Sequence, residues 1–145
     1  MPNTTLNILE KTVGQGDPKA TIVILHGLGA SQDDFVPFTG ELNLSPVGAV
    51  RYLFPNAPNR PVTINGGHVM RAWYDILGAD LQRREDEVGL RASQALVDQL
   101  IDNEVARGMP AHRIVLGGFS QGCAMALQAG LRYRERLAGL MCMSG

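Results

Sequence analysis

Apolar residues follow two rhythms along this chain, and the switches between them mark out its elements. Thr21-Ile22-Val23-Ile24-Leu25 is a short, continuous, mostly β-branched run closed by His26-Gly27-Leu28-Gly29. That pattern predicts a strand buried on both faces. Val50-Arg51-Tyr52-Leu53-Phe54, stopped by Pro55-Asn56, predicts a second such strand. Arg113-Ile114-Val115-Leu116, running into Gly117-Gly118, predicts a third, and Leu137 to Met143, ending at Ser144-Gly145, a fourth. Leu6 to Leu9 is an expected outer strand.

Between these runs the apolar spacing lengthens. Asp33 to Leu42 follows Ser31, a suitable N-cap, and carries acids in its first turn, which predicts a helix. Val88, Ala92, Leu96 and Leu100 recur every four residues, Ala95 and Ile101 widen the stripe, and Gly108-Met109-Pro110 ends it. Gln121 to Tyr133, with Met125, Ala126, Leu127 and Ala129, predicts a third helix. Strands alternating with helices imply a parallel α/β sheet. Pro55 to Ala72 breaks the rule of short connections. It is rich in Pro, Asn and Gly, and loops of that length are usually functional or disordered.

Composition narrows the function classes. With 145 residues, 45% of them apolar and 19% charged, the chain has material for one domain with a real core. A net charge of −1 with scattered Lys and Arg gives no basic patch for a phosphate backbone, so no nucleic-acid partner is expected. Cys123 and Cys142, the 2 cysteines, make no disulfide framework, and a reduced cytoplasmic setting is the expectation. Met1 to Leu9 shows no signal-peptide pattern, and no apolar run approaches the ~18 residues of a membrane span.

The chemistry concentrates at Gly118-Phe119-Ser120-Gln121-Gly122, a G-x-S-x-G pentapeptide. Such a motif sets a serine on a sharp strand-to-helix turn, its hydroxyl clear of the sheet and its backbone strained. The helix N-terminus then faces the place where negative charge develops. The pentapeptide alone is weak in a chain with 17 glycines. An apolar strand before it and a helical pattern after it make Ser120 a candidate nucleophile. The His26-Gly27-Leu28-Gly29 turn follows another buried strand, so the N–H groups of Leu28 and Gln121 are candidates for an oxyanion hole. Two nucleotide motifs fail. Cys123-Ala124 replaces the Lys-Ser/Thr of a phosphate loop at Gly117 to Gly122. Gln32 stands where a dinucleotide fingerprint starting at Gly27 needs a small residue.

These residues resemble the carboxylesterase, lysophospholipase and acyl-protein thioesterase family of small α/β-hydrolases. Matching segments run in family order: Leu25-His26-Gly27-Leu28-Gly29-Ala30, Phe54-Pro55-Asn56-Ala57-Pro58, Arg60 to Gly67, Ala72-Trp73-Tyr74-Asp75-Ile76, and Gly117 to Gly122. The Pro-Val-Thr-Ile-Asn-Gly-Gly loop with Trp-Tyr-Asp looks most like bacterial short-chain carboxylesterases. The resemblance implies an α/β-hydrolase fold, a mostly parallel sheet with flanking helices, as a single domain over residues 1–145 that lacks its C-terminal strands. It implies Ser120 as nucleophile, Leu28 and Gln121 as oxyanion donors, and a Pro55 to Trp73 loop bordering an acyl pocket, with Trp73 as a binding residue. Short-chain esters or thioesters would be cleaved through an acyl-enzyme, with no metal and no organic cofactor. A small-molecule ester is the expected partner, and a homodimer is left open.

The triad order of this fold is Ser, then Asp, then His, yet after Ser120 the sequence has no Asp and no His, and its only acid is Glu135. His112 precedes the strand that carries Ser120, roughly 20 Å away at ~3.3 Å per residue. His26 belongs to the oxyanion turn, His68 lies in the Pro55 to Ala72 loop, and Asp75 reads as a structural acceptor beside Trp73. Leu137 to Met143 would leave an open apolar edge, which natural sheets avoid. The chain therefore reads as a truncated esterase. The competing expectation is a catalytically inactive hydrolase fold that binds a ligand or partner.

Overall fold

The computed structural model describes residues 6–76 and 86–143. Five strands form one sheet: β1 (Ile8–Val13), β2 (Ala20–Leu25), β3 (Val50–Pro55), β6 (Ile114–Phe119) and β7 (Gly139–Met143), in the order β1-β3-β2-β6-β7. All neighbours pair in parallel except β1, which runs antiparallel to β3. The four expected strands are present. The outer strand starts at Ile8 and reaches Val13, further along than Leu6 to Leu9, because Glu10, Lys11 and Thr12 are all exposed on an edge strand, where polar residues are tolerated. The fourth begins at Gly139, two residues later than its apolar run, and its expected end at Ser144-Gly145 lies outside the described residues.

Period-two alternation explains why β2 had to be apolar throughout. Val23 and Leu25 join Leu53, Ile114 and Leu116 on the face covered by two helices, α1 (Glu87–Ala106) and α2 (Gln121–Gly130). Ile22 and Ile24 join Tyr52 and Phe54 on the other face, under Phe35, Val36 and Leu44. The helix expected over Asp33 to Leu42 is instead a 3-10 segment over Gln32–Gly40, with Pro37 inside it. Proline removes one backbone donor and clashes with the preceding turn, so an α-helix cannot pass through it.

Helix α1 has the expected position, and Leu100 and Ile101 of the expected stripe are buried, but the rest of its covered face differs. Its covered residues are Gly89, Ser93, Val97, Leu100, Ile101 and Glu104, while Val88 is 81% exposed. The apolar spacing misled because a carboxylate occupies the end of the stripe. Glu104, 2% exposed, accepts a hydrogen bond from Thr21 Oγ1 (2.7 Å) on β2 and pairs with Arg51 Nη1 (2.8 Å) on β3 and Arg107 Nη1 (3.1 Å). Arg107 in turn meets Glu10 on β1 at 2.8 Å, and that guanidinium holds the Glu10 carboxyl below its usual value. This clasp ties the end of α1 to three strands at the amino end of the sheet. The Pro55 to Ala72 stretch is no structureless loop. It contains an antiparallel hairpin, β4 (Asn59–Val62) with β5 (His68–Arg71), joined through a short 3-10 turn at Thr63–Asn65.

Removing one partner from a buried pair leaves the others uncompensated, at a cost of about 3–5 kcal/mol. Glu104→Ala is therefore expected to lower unfolding free energy by about 3 kcal/mol or more, read from the midpoint of urea unfolding; an unchanged midpoint would rule out the clasp as a main tie between α1 and the sheet.

Candidate active site

Ser120 follows the last residue of β6 and immediately precedes α2. Its backbone sits at φ 56°, ψ −116°, and it is the only non-glycine residue with positive φ among the described residues. An L-residue held there costs about 1–3 kcal/mol. The conformation is fixed from both sides. The Ser120 N–H donates to Met143 O of β7 (3.0 Å), and its carbonyl accepts from Cys123 N–H (2.9 Å) and Ala124 N–H (3.2 Å). Its side chain makes no capping bond to α2, and the residue is exposed. The hydroxyl is thus presented at the carboxyl end of the sheet.

Three glycines make that turn sterically allowed. A Cβ on Gly118 would collide with the Gly122 carbonyl, and one on Gly122 with the Leu25 carbonyl. A Cβ on Gly27 would lie 3.3 Å from Phe119 O and 3.4 Å from Ser120 Cβ. The turn after β2 therefore lies directly against the serine. In that turn Gly29 N–H donates to Arg71 O (2.9 Å) and Ala30 N–H to Gly27 O (3.2 Å). Leu28 N–H finds no acceptor among the described residues. Gln121 is the first residue of α2, where backbone donors have no partner within the helix. The structure brings Ser120 and the Gly27 turn that carries Leu28 together, with Gln121 next in sequence to the serine.

Trp73 takes a place other than the one expected. It is 0% exposed, so its ring offers no surface to a ligand and belongs to the core. Its indole Nε1–H donates to His26 O (2.9 Å), its backbone N–H to Gln121 Oε1 (2.8 Å), and its carbonyl accepts from Ser93 Oγ. The Gln121 side chain closes the link, donating from Nε2 to Tyr74 O (2.8 Å). Trp73 thus braces the turn from beneath. Sequence reasoning considered the Gln121 N–H and missed its side chain, which bolts the start of α2 to the 73–74 segment. A glutamine buried at a helix start was the available signal, since a buried amide requires partners.

The histidines separate cleanly. His26 is 1% exposed; its Nδ1–H donates to Gly27 O (2.7 Å) and its Nε2 accepts from Ala57 N–H (2.9 Å). Both nitrogens are occupied in the neutral ring, and burial lowers its pKa below 6.5. His112 lies in the turn before β6, at the opposite end of that strand from Ser120. His68 is exposed at the start of β5, about 10 Å along the strand from Arg71, whose carbonyl accepts from Gly29 N–H in the turn after β2. Asp75 accepts from Thr63 N–H (2.7 Å) and Thr63 Oγ1 (2.6 Å). Desolvation pushes its pKa up, but the Thr63 bonds outweigh this and hold it below the ordinary value. It fastens the hairpin. Among the described residues no group of three or more His, Cys, Asp or Glu could hold a metal ion, and no helix is long and apolar enough to cross a membrane.

Two outcomes test this geometry. Gly122→Ala should destabilise by about 3 kcal/mol, because the new methyl meets backbone that cannot yield; Gly40→Ala, which has open space around it, should stay within about 0.5 kcal/mol. Equal effects in chemical denaturation would refute the close approach. For His26, the unfolded ring takes up its proton at higher pH than the folded one. Its contribution to stability is complete above pH 6.5 and is lost as pH falls through the lower folded value. Thermal melts from about pH 8 to about pH 5 should show that decline, and His26→Asn should flatten it.

Residues 7–145 match the family model described as Phospholipase/Carboxylesterase. The chain is 47% identical over 126 residues to acyl-protein thioesterase 1 of Schizosaccharomyces pombe, covering 87% of this chain and 55% of that one. It is 40% identical over 131 residues to acyl-protein thioesterase 1 of Neurospora crassa, covering 86% and 54%. The crystal structure of Zea mays acyl-protein thioesterase 2 superposes with a TM-score of 0.78 at 31% identity, over 94% of this chain and 62% of that one. Arabidopsis thaliana SOBER1 gives 0.79 at 34%, over 83% and 59%. The chain spans about half the length of the curated relatives it matches. A mostly parallel sheet ending in a strained serine, matched by a family model over nearly every residue, places the chain in the phospholipase/carboxylesterase family of α/β-hydrolases.

Proposed function

We propose that this chain carries the nucleophile portion of a serine hydrolase that cleaves carboxylic esters or thioesters of small acyl groups through an acyl-enzyme. The observation that carries the reading is the Ser120 backbone at φ 56°, ψ −116°, held with its hydroxyl unspoken for. Strain of that kind persists only where its surroundings enforce it. In this reading Ser120 Oγ attacks the carbonyl carbon, and the Leu28 and Gln121 N–H groups receive the oxyanion. The leaving alcohol or thiol departs with a proton, and water then releases the acid. This reading also needs an acid and a base; no Asp or His follows Ser120 within residues 1–145, and both His26 nitrogens are occupied. The free thiols suit a reducing, cytoplasmic setting, and no cofactor enters the scheme.

One observation favours a second reading, a non-catalytic hydrolase fold that binds a ligand. A serine hydroxyl is a poor nucleophile until an adjacent base takes its proton, and the Ser120 hydroxyl has no hydrogen-bonded base among the described residues.

Hydrolysis of p-nitrophenyl acyl esters, acyl thioesters and peptide amides separates the two. Protein continued through a downstream Asp and His should hydrolyse short-chain esters and thioesters in preference to amides, and Ser120→Ala should lower kcat by roughly 10⁴–10⁶-fold. Protein ending at Gly145 should show almost no turnover. Preference for amides, or full activity in Ser120→Ala, would overturn the nucleophile reading. Turnover by the 145-residue form that Ser120→Ala abolishes would mean that a base lies within these residues, with His68 the first to replace.

A further inference from the structure

The two cysteines are far apart in sequence and meet at the nucleophile turn. Gly118 of β6 and Cys142 of β7 share a rung of the sheet, so their side-chain directions agree. A Cβ on Gly118 would lie 2.6 Å from the backbone nitrogen of Cys123, which fixes that direction as toward the first turn of α2. Alternation along β7 gives the same answer. Leu140 packs against Gly130 of α2, while Met141 and Met143 pack on the opposite face. Cys142, two residues after Leu140, therefore faces α2. One strand spacing, about 4.8 Å, separates it from the β6 position that Cys123 overlies. Cys123 is buried, Cys142 is exposed, and both are free.

We propose that Cys123 and Cys142 form a dithiol modification site that a peroxide oxidises to an intramolecular disulfide beside Ser120. The exposed Cys142 sulfur attacks the peroxide, forming an S–O bond as the O–O bond breaks and one water leaves. Cys123 then attacks that sulfenic sulfur; the S–S bond forms, the S–O bond breaks, and a second water leaves. Two thiols lose two electrons and hydrogen peroxide gains them. Burial pushes the Cys123 thiol up, which suits it to resolve rather than initiate, since the thiolate is the reactive form. The bridge would clamp the end of β7 to α2 three residues past the serine. The site stands independently of the catalytic reading.

The test uses the folded protein, treated with hydrogen peroxide, alkylated, and digested with trypsin without reduction. Arg113, Arg132 and Arg136 put the two cysteines on separate peptides. The expected result is one linked pair, 114–132 with the peptide starting at 137, lighter by two hydrogens than the sum of its parts and released by reductant. Titratable thiols should fall from two to none. Cys142→Ser should abolish the link while leaving Cys123 alkylatable after unfolding. The same treatment in denaturing urea should form the bridge more slowly, because proximity is lost. Two thiols still alkylated, a sulfinic acid on Cys142 beside a free Cys123, or only intermolecular dimers would each overturn the proposal.

Discussion

The carboxyl end of this sheet depends on how closely the first turn of α2 approaches the ends of β2 and β6. That approach leaves no room for a side chain at Gly118 or Gly122. It forces the chain to reverse within one residue, and that residue is Ser120 at positive φ. The strain, about 1–3 kcal/mol, is offset by ordinary contacts around it: the bond to Met143 O, two bonds to the Ser120 carbonyl, and the helix packed on Met125, Ala126 and Ala129. A looser turn would relax the serine into a helical N-cap, and its hydroxyl would turn toward the backbone it now leaves alone.

The two ends of the sheet are held by different physics. At the amino end the tie is ionic, with Glu104 linking Thr21, Arg51 and Arg107. At the carboxyl end the tie is neutral: His26, Trp73 and Gln121 exchange hydrogen bonds without a formal charge. A neutral hub holds its shape at any pH where the His26 ring stays unprotonated, and it adds no fixed charge next to the serine. The hub also joins three connections, those after β2, β3 and β5, so that the turn at Gly27 is positioned by Ala57 and Arg71 as much as by its own strand.

Elements with one strong physical cause were legible in the sequence. Short apolar runs closed by Gly or Pro gave β2, β3 and β6, and the glycine pair around Ser120 located the sharp turn. The α1 stripe was misread because a buried carboxylate is legible only with its partners, which sit 53 and 83 residues away. In the 32–40 segment the acids of the first turn suit an α-helix, but Pro37 stands inside it and the chain takes a 3-10 path. The hairpin at Asn59–Arg71 was hidden by its own glycines, which serve as turn residues between strands only four residues long. The family loop around Trp73 implies a binding residue there, whereas its ring is buried and its hydrogen bonds to His26 and Gln121 follow no spacing rule.

Placing a serine hydroxyl and activating it are separate physical requirements, and this chain divides them. Placement is a matter of backbone sterics, met by Gly27, Gly118 and Gly122 within these residues. Activation needs an acceptor for a proton, and the ring in the turn beside the serine, His26, already uses Nε2 to hold Ala57 and Nδ1 to hold Gly27. Freeing either nitrogen would leave a buried amide or carbonyl without its partner, at about 1–3 kcal/mol, and would release the turn that carries Leu28. His26 therefore cannot serve as base without dismantling the site it would serve. The turn can be complete in geometry while its chemistry waits on a group that the described residues do not place beside it.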